Sequence, residues 1–256
     1  MEDNFAKEYS DYDKSFYDAE SNSIQWIDLE TWERKRLFYN YLGTDLPYII
    51  LTANVDVTPI RAFAKRHHVS FNNCMVYMCM KVIDSIENYR YRFIDGKPFI
   101  IDHTRPIVNH IKQGEELFVM GEGPWPCDDI LEFCRICHEN QEAAEPDDMQ
   151  GRVRHKLDII NFTSIYWVQY TGFIRTIIED GVDNAPKFSF GKFFKGPLWA
   201  GDAGNGAACE ELGIGADERI WMPISNQTHH GLMDGRHVGL FYNRLKEEID
   251  KFDFTK

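Results

Sequence analysis

The chain has 256 residues, with 41 acidic against 28 basic side chains and a formal net charge of −13 with histidine neutral. That balance argues against nucleic acid and anionic membranes as partners, because both need a basic stripe; the densest basic clusters are only Arg34-Lys35-Arg36 and Lys65-Arg66-His67-His68. No apolar run approaches the roughly 20 residues of a membrane span, and the start, Met1-Glu2-Asp3-Asn4, lacks the basic-then-apolar pattern of a signal peptide. The expectation is a soluble cytoplasmic protein with reduced cysteines, large enough to bury a sizeable core.

The first residues are acidic and aromatic (Tyr9, Tyr12, Phe16, Tyr17) and read as a lead-in arm over 1–26. Asp28-Leu29-Glu30-Thr31 then opens a helix to about Leu42, its acidic start suiting the positive helix end. Pro47 to Val57 is rich in β-branched residues and predicts a strand. Thr58-Pro59 reads as an N-cap with proline in the first helical position, before a short helix to about His67. Ser70 to Tyr89 is the longest helical pattern, with Met75, Met78, Cys79, Val82, Ile83 and Ile86 recurring at three and four.

A hairpin follows, Tyr91–Ile94 against Pro98–Ile101, turned by Asp95-Gly96. Further strands are expected at Pro106–Ile111 and Glu116–Met120, a helix over Asp128–Glu142, and a polar loop to Arg154. The second half predicts strands at Leu157–Ser164, Lys187–Phe194 and Arg219–Asn226. A last helix over Arg236–Phe252 would bury Val238, Phe241, Leu245, Ile249 and Phe252. Helices and strands interleave throughout without a composition break, so one α/β domain over 1–256 is expected.

Several short motifs carry little chemistry. Cys134-Arg-Ile-Cys137-His138 matches a c-type haem attachment pattern, but it falls on an amphipathic helix of a chain without an export signal. Zinc through Cys127, Cys134, Cys137 and His138 lacks a second ligand cluster, so neither haem nor metal is expected. The sequons at Asn161 and Asn226 carry no information in a non-secreted chain. Residues 195–218 are glycine-rich, but their offsets fit no nucleotide fingerprint, and an exposed insertion loop is expected.

His229-His230-Gly-Leu-Met-Asp234-Gly235 is different. A strand runs into two histidines, then a short turn with aspartate and glycine, then a long helix. Histidine suits general-base work near neutral pH, and α/β proteins place reactive groups at strand ends. An aspartate four residues on can anchor the turn through a buried basic partner.

With that motif the sequence resembles the chloramphenicol acetyltransferase family, trimeric enzymes that use acetyl-CoA, whose His-His-x-x-x-Asp-Gly pattern is shared with dihydrolipoamide acyltransferase cores. The resemblance extends to Asp28-Leu29-Glu30-Thr31-Trp32-Glu33-Arg34-Lys35-Arg36-Leu37-Phe38, to Asn161-Phe-Thr163-Ser-Ile-Tyr-Trp167-Val, to Pro186-Lys-Phe-Ser189-Phe-Gly-Lys192 and to Arg219-Ile-Trp-Met-Pro223-Ile-Ser225.

It implies a two-layer sandwich, a mixed sheet with helices on one side, assembled as a homotrimer with active sites between subunits. It implies His230 as general base toward a small hydroxyl acceptor, chloramphenicol or a related compound. Asp234 would pair with Arg34. Thr163 would meet the oxyanion where the family has serine, with Ser164 the alternative and Asn161 supporting the strand. Ser189 would stand at a threonine position near the intermediate. Lys192, with Lys195 nearby, would hold the phosphates of acetyl-CoA, and Phe38 and Tyr41 would lie in the acceptor pocket. The pocket departs from the family at Asn40, where a phenylalanine is usual, and around Ile111. The alternatives are a non-catalytic or differently specific acyl-CoA-binding trimer, or a dihydrolipoamide acyltransferase-like core, the latter disfavoured because no lipoyl domain or Ala/Pro-rich linker precedes the catalytic region.

Overall fold

The structure is a computed structural model that describes residues 24–145, 157–177, 183–199 and 206–256. In chain order the elements are β1 (Ile24–Trp26), α1 (Lys35–Leu42), β2 (Tyr48–Asp56), α2 (Thr58–His67), α3 (Phe71–Asp84), a 3-10 turn (Glu87–Arg90), β3 (Tyr91–Ile94), β4 (Lys97–Ile101), β5 (Arg105–Ile111), β6 (Phe118–Glu122), α4 (Ile130–Ala143), β7 (Ile159–Ile165), β8 (Lys187–Gly191), β9 (Phe194–Pro197), α5 (Gly206–Leu212), β10 (Glu218–His229) and α6 (Gly235–Asp250). Among the described residues they form a seven-stranded sheet, ordered β2-β10-β8-β7-β5-β6 with β9 paired to β10, and a three-stranded sheet, β1-β4-β3. The large sheet is mixed: β5-β7 and β7-β8 run parallel, the other pairs antiparallel.

Side chains alternate faces along a strand, and this sheet uses the two faces differently. Val55, Val108, Ile160, Phe162, Phe188, Phe190, Met222 and Ile224 point to one face. There they join α2, α3, α4 and α6 in the main core through Phe63, Met75, Phe133, Phe241 and Leu245. Their sequence neighbours, Thr52, Asn109, Thr163, Ser189, Ser225, Gln227 and His229, fall on the opposite face. Helices on one side of a mixed sheet is the expected architecture, and the polar opposite face places the site.

Most expected elements are present, with physical reasons where bounds differ. The first helix starts at Lys35 rather than Asp28, because Asp28 closes a turn instead: its carboxylate takes the Glu30 N–H at 3.0 Å and its carbonyl the Trp32 N–H at 3.0 Å. Thr58 is the first residue of α2 rather than its cap. The Asp56 carboxylate takes the Thr58 N–H at 2.9 Å, while the Thr58 hydroxyl accepts from Ile220 N–H at 2.8 Å. The long helix ends at Asp84, where the Ser85 hydroxyl donates to the Val82 carbonyl at 2.6 Å. The hairpin turn forms as expected, with positive φ at Asp95 (48°) and Gly96 (71°).

Residues 195–218 are not simply an exposed loop. They contribute β9 to the sheet, and α5 buries Ala208 and Cys209 while Arg66 of α2 reaches Glu211 at 2.7 Å. The arm before Ile24, the loop around 146–156 and Gly201 and Gly204 lie outside the described residues. Cys134 and Cys137 of α4 face the core while His138 faces water, so the haem-like motif is split by the helix itself.

Arg92 of β3 joins the two sheets. It is fully buried and donates to the carbonyls of Leu157 (2.6 Å), Tyr89 (2.8 Å), Tyr91 (2.7 Å) and Ile159 (3.1 Å). Removing it strands several buried acceptors. Arg92→Met is expected to cost at least ~3 kcal/mol of stability, read as a lowered urea midpoint at fixed protein concentration.

Candidate active site

The turn after β10 is built around one guanidinium. Arg34 Nη1 donates to Asp234 Oδ2 at 3.0 Å, Nη2 to the His230 carbonyl at 3.1 Å and Nε to the Gly231 carbonyl at 3.2 Å. Asp234 also caps α6, taking the Arg236 N–H at 3.0 Å, and meets His237 Nδ1 at 3.0 Å. Burial alone would raise the Asp234 carboxyl; the bond to Arg34 and the fields of His237 and Arg34 outweigh it and hold the carboxyl below its ordinary value.

His230 is half-buried. Its N–H donates to the Pro47 carbonyl at 2.6 Å, and its imidazole lies face to face with Tyr41, centroids 4.1 Å apart and planes within 10°. Nδ1 sits 3.1 Å from the Met233 carbonyl. A carbonyl can only accept, so this bond puts the proton on Nδ1 and leaves the Nε2 lone pair available. His229 has different surroundings. It is buried, accepts the Gly231 N–H on Nδ1 at 3.1 Å and packs edge-on against Tyr48 and Phe93. Burial, and then the charge of His230, push its pKa down to about 4.

The second group of residues forms a row across the polar face: Thr163 of β7 pairs with Ser189 of β8, and Ser189 with Ser225 of β10. Asn109 Nδ2 donates to Thr163 Oγ1 at 3.3 Å. The threonine oxygen thus accepts one bond while its proton stays available to a ligand. Ser164 points to the helix side and donates to Asn72 Oδ1. Asn161 shares the face of Thr163 and ties its strand to the chain before β8, its N–H on the Pro186 carbonyl at 3.0 Å. Lys192 and Lys195 are exposed, and the Arg61 guanidinium lies 5.0 Å over the ring of neighbouring Phe193.

Sequence reasoning therefore finds two groups that the chain does not bring together on its own. His229 lies four residues along β10 from Ser225 and two strands across from Thr163, so their Cα atoms are roughly 16 Å apart by strand geometry. Phe38 is fully buried with Trp32, Tyr91, Phe93 and Leu232, and it supports the histidine turn from beneath. Tyr41 is the neighbour that reaches the imidazole. Asn109, Pro47 and Met233 were not legible in the sequence as site residues: two act through backbone carbonyls, which carry no side-chain signature.

Comparison with known proteins shows the family and the fold. Residues 22–197 match the family model described as chloramphenicol acetyltransferase, and the chain belongs to that family of acyltransferases. It is 25% identical over 235 residues to the chloramphenicol acetyltransferase of Clostridium butyricum, covering 86% of this chain and 92% of that protein. Identity to the Clostridium perfringens enzyme is 24%, over 89% and 95% of the two chains. A solved chloramphenicol acetyltransferase superposes with a TM-score of 0.70 at 24% identity, covering 88% of this chain and 98% of that one. The cubic core of a pyruvate dehydrogenase complex shares the fold, with a TM-score of 0.55 at 14% identity over 84% and 86% of the chains.

His229 makes stability depend on pH. Its folded pKa of about 4 lies below the unfolded value of 6.5, so between these values the unfolded chain binds the extra proton. The stabilisation from neutral His229 is complete above about pH 6.5 and is lost as pH falls through 4, with a ceiling of about 3 kcal/mol. Urea unfolding of wild type and His229→Gln between pH 7 and 4 is expected to show a shallower loss in the variant.

Proposed function

We propose that the protein transfers the acetyl group of acetyl-CoA to a hydroxyl of a small acceptor, chloramphenicol or a related compound. The observation that carries this reading is the fixed tautomer of His230: Nδ1 bound to the Met233 carbonyl at 3.1 Å, with the ring held by Tyr41. Nε2 takes the acceptor proton as the hydroxyl oxygen attacks the thioester carbon. The oxyanion is met by the Thr163 hydroxyl, whose own oxygen is already oriented by Asn109. Collapse forms the ester, breaks the C–S bond and returns the proton from the imidazolium to the leaving CoA sulfur. No resident metal or haem enters this scheme.

Asp234 and Arg34 position the turn. Ser189 stands beside Thr163 near the intermediate, and Asn161 keeps that strand in register. Lys192 and Lys195 supply local cations for CoA phosphates on an otherwise acidic chain. Tyr41 borders the acceptor, and Phe38 backs that wall.

The separation of roughly 16 Å between the two groups supports a homotrimer. One hydroxyl cannot reach His230 and Thr163 of the same chain, whereas His230 of one chain can face Thr163 of the next. Exposed Leu117, Trp167 and Ile174, at 73%, 61% and 64% of their full surface, suit such burial. On this reading the enzyme works in the cytoplasm, and acetylation of chloramphenicol is a route to antibiotic resistance.

His230→Ala is expected to lower kcat by roughly 10²–10⁴-fold and Thr163→Val by roughly 10²–10³-fold, with little change in KM for acetyl-CoA. A CoA thiol-release assay with chloramphenicol measures both; full activity in either variant overturns the role given to that residue.

A further inference from the structure

Residues 166–177 cross the polar face of the sheet and are stitched to it at several points. The Tyr170 hydroxyl donates to the Ser189 carbonyl at 2.6 Å, the Ser225 hydroxyl to the Phe173 carbonyl at 2.8 Å, the Arg175 N–H to Gln227 Oε1 at 2.9 Å and Lys187 Nζ to the Thr176 carbonyl at 2.7 Å. These bonds seat Arg175 beside Gln227, between Ser225 of the hydroxyl row and His229 at the strand end. Two residues further on, Ile177 lines a cavity of about 510 Å³ together with Tyr48, Phe93, Asp183 and His229.

Arg175 is an unusual residue for that place. Its Nη1 is buried with no hydrogen-bond partner, and so is Nε2 of the adjoining Gln227. Buried donors of a cation are almost always met, because leaving them unmet forfeits their hydration. Burial lowers the Arg175 pKa to about 10, which leaves it charged at neutral pH. The nearby Asp183 favours that charge, but its carboxylate is bonded by Lys187. A guanidinium with an unmet Nη1 donor, on a residue whose backbone is bonded to the Gln227 side chain, offers a carboxylate a charge-assisted hydrogen bond.

We infer that Arg175, with Gln227, binds a carboxylate on the acceptor and so selects an anionic hydroxyl compound for acetylation. This rests on the acetyl-transfer reading and moves its preferred acceptor from neutral chloramphenicol to a related hydroxyl compound that carries a carboxylate. The CoA phosphates are served elsewhere: Arg175 lies at the Lys187 end of β8, whereas Lys192 is five residues along, about 16 Å away by strand rise. Gln227, which takes the Arg175 N–H, lies two residues along β10 from Ser225 of the hydroxyl row, about 7 Å by strand rise, and 4-(hydroxymethyl)benzoate spans a similar distance between hydroxyl and carboxylate.

That acid and its carboxamide are the matched probes, assayed by CoA thiol release and by calorimetric binding. Wild type is expected to favour the acid by roughly 30-fold or more in kcat/KM. Arg175→Gln is expected to erase that preference by lowering activity on the acid, with the amide, the KM for acetyl-CoA and the oligomer mass little changed. Arg175→Lys is expected to keep part of the preference.

Equal use of acid and amide by wild type overturns the inference, and so does an equal fall on both probes or a raised KM for acetyl-CoA in Arg175→Gln. If Arg175→Gln does not fold, the wild-type comparison decides. If neither probe nor chloramphenicol is acetylated, the acetyl-transfer reading fails. The inference is then judged on binding alone: tighter binding of the acid, lost in Arg175→Gln, supports it, and equal binding overturns it.

Discussion

Three hydrogen bonds from the Arg34 guanidinium decide where the imidazole of His230 stands. They run from just ahead of α1 to the turn between β10 and α6, nearly 200 residues later, and they end on two backbone carbonyls and one carboxylate. A lysine offers a point charge and could not serve three acceptors at these angles. The Asp234 carboxylate does two jobs at once, holding Arg34 and capping the helix that follows. Moving either residue would move the helix start and the imidazole together. The carbonyls gripped by Arg34 belong to the residue pair His230-Gly231. The orientation of the ring is therefore fixed through its own backbone, then through Met233 and Tyr41.

The second constraint is the alternation of strands. One face of the large sheet is packed mainly with apolar side chains, with Ser164 and Asn226 as bonded exceptions, so most hydroxyl, amide and imidazole groups on these strands fall on the other. That is how Thr163, Ser189 and Ser225 come to share a row without any local sequence motif linking them. It also separates Thr163 from Ser164 absolutely. Adjacent residues in a strand cannot serve the same face, and Ser164 spends its proton on Asn72 at the start of α3.

Much of this was legible in the sequence, because the signals were local. The hairpin at Asp95-Gly96, the stripe of α6 and the motif from His229 to Gly235 each depend on spacing within a few residues. The start of α1 was misplaced because the acidic residues that resemble a helix entry instead close a turn at Asp28. The folded portion within 195–218 was missed because glycine-rich composition hides a strand that pairs only with the distant start of β10. Asn109 and Arg175 had no signature at all. Their importance comes from neighbours that lie 54 and 52 residues away, and only the folded sheet brings those together.

Charge shows the same division between global and local. The net charge of −13 describes the surface as a whole and disfavours polyanions, which sample wide areas. A small ligand samples one cleft. The exposed cations near Phe193 and the half-buried Arg175 are separated by the length of β8, each in its own surroundings. An acidic chain can therefore keep two separate cationic spots, because at this distance each field is set by the groups beside it and screened from the rest. The overall charge limits which macromolecules approach, and individual buried or clustered cations decide which small molecules stay.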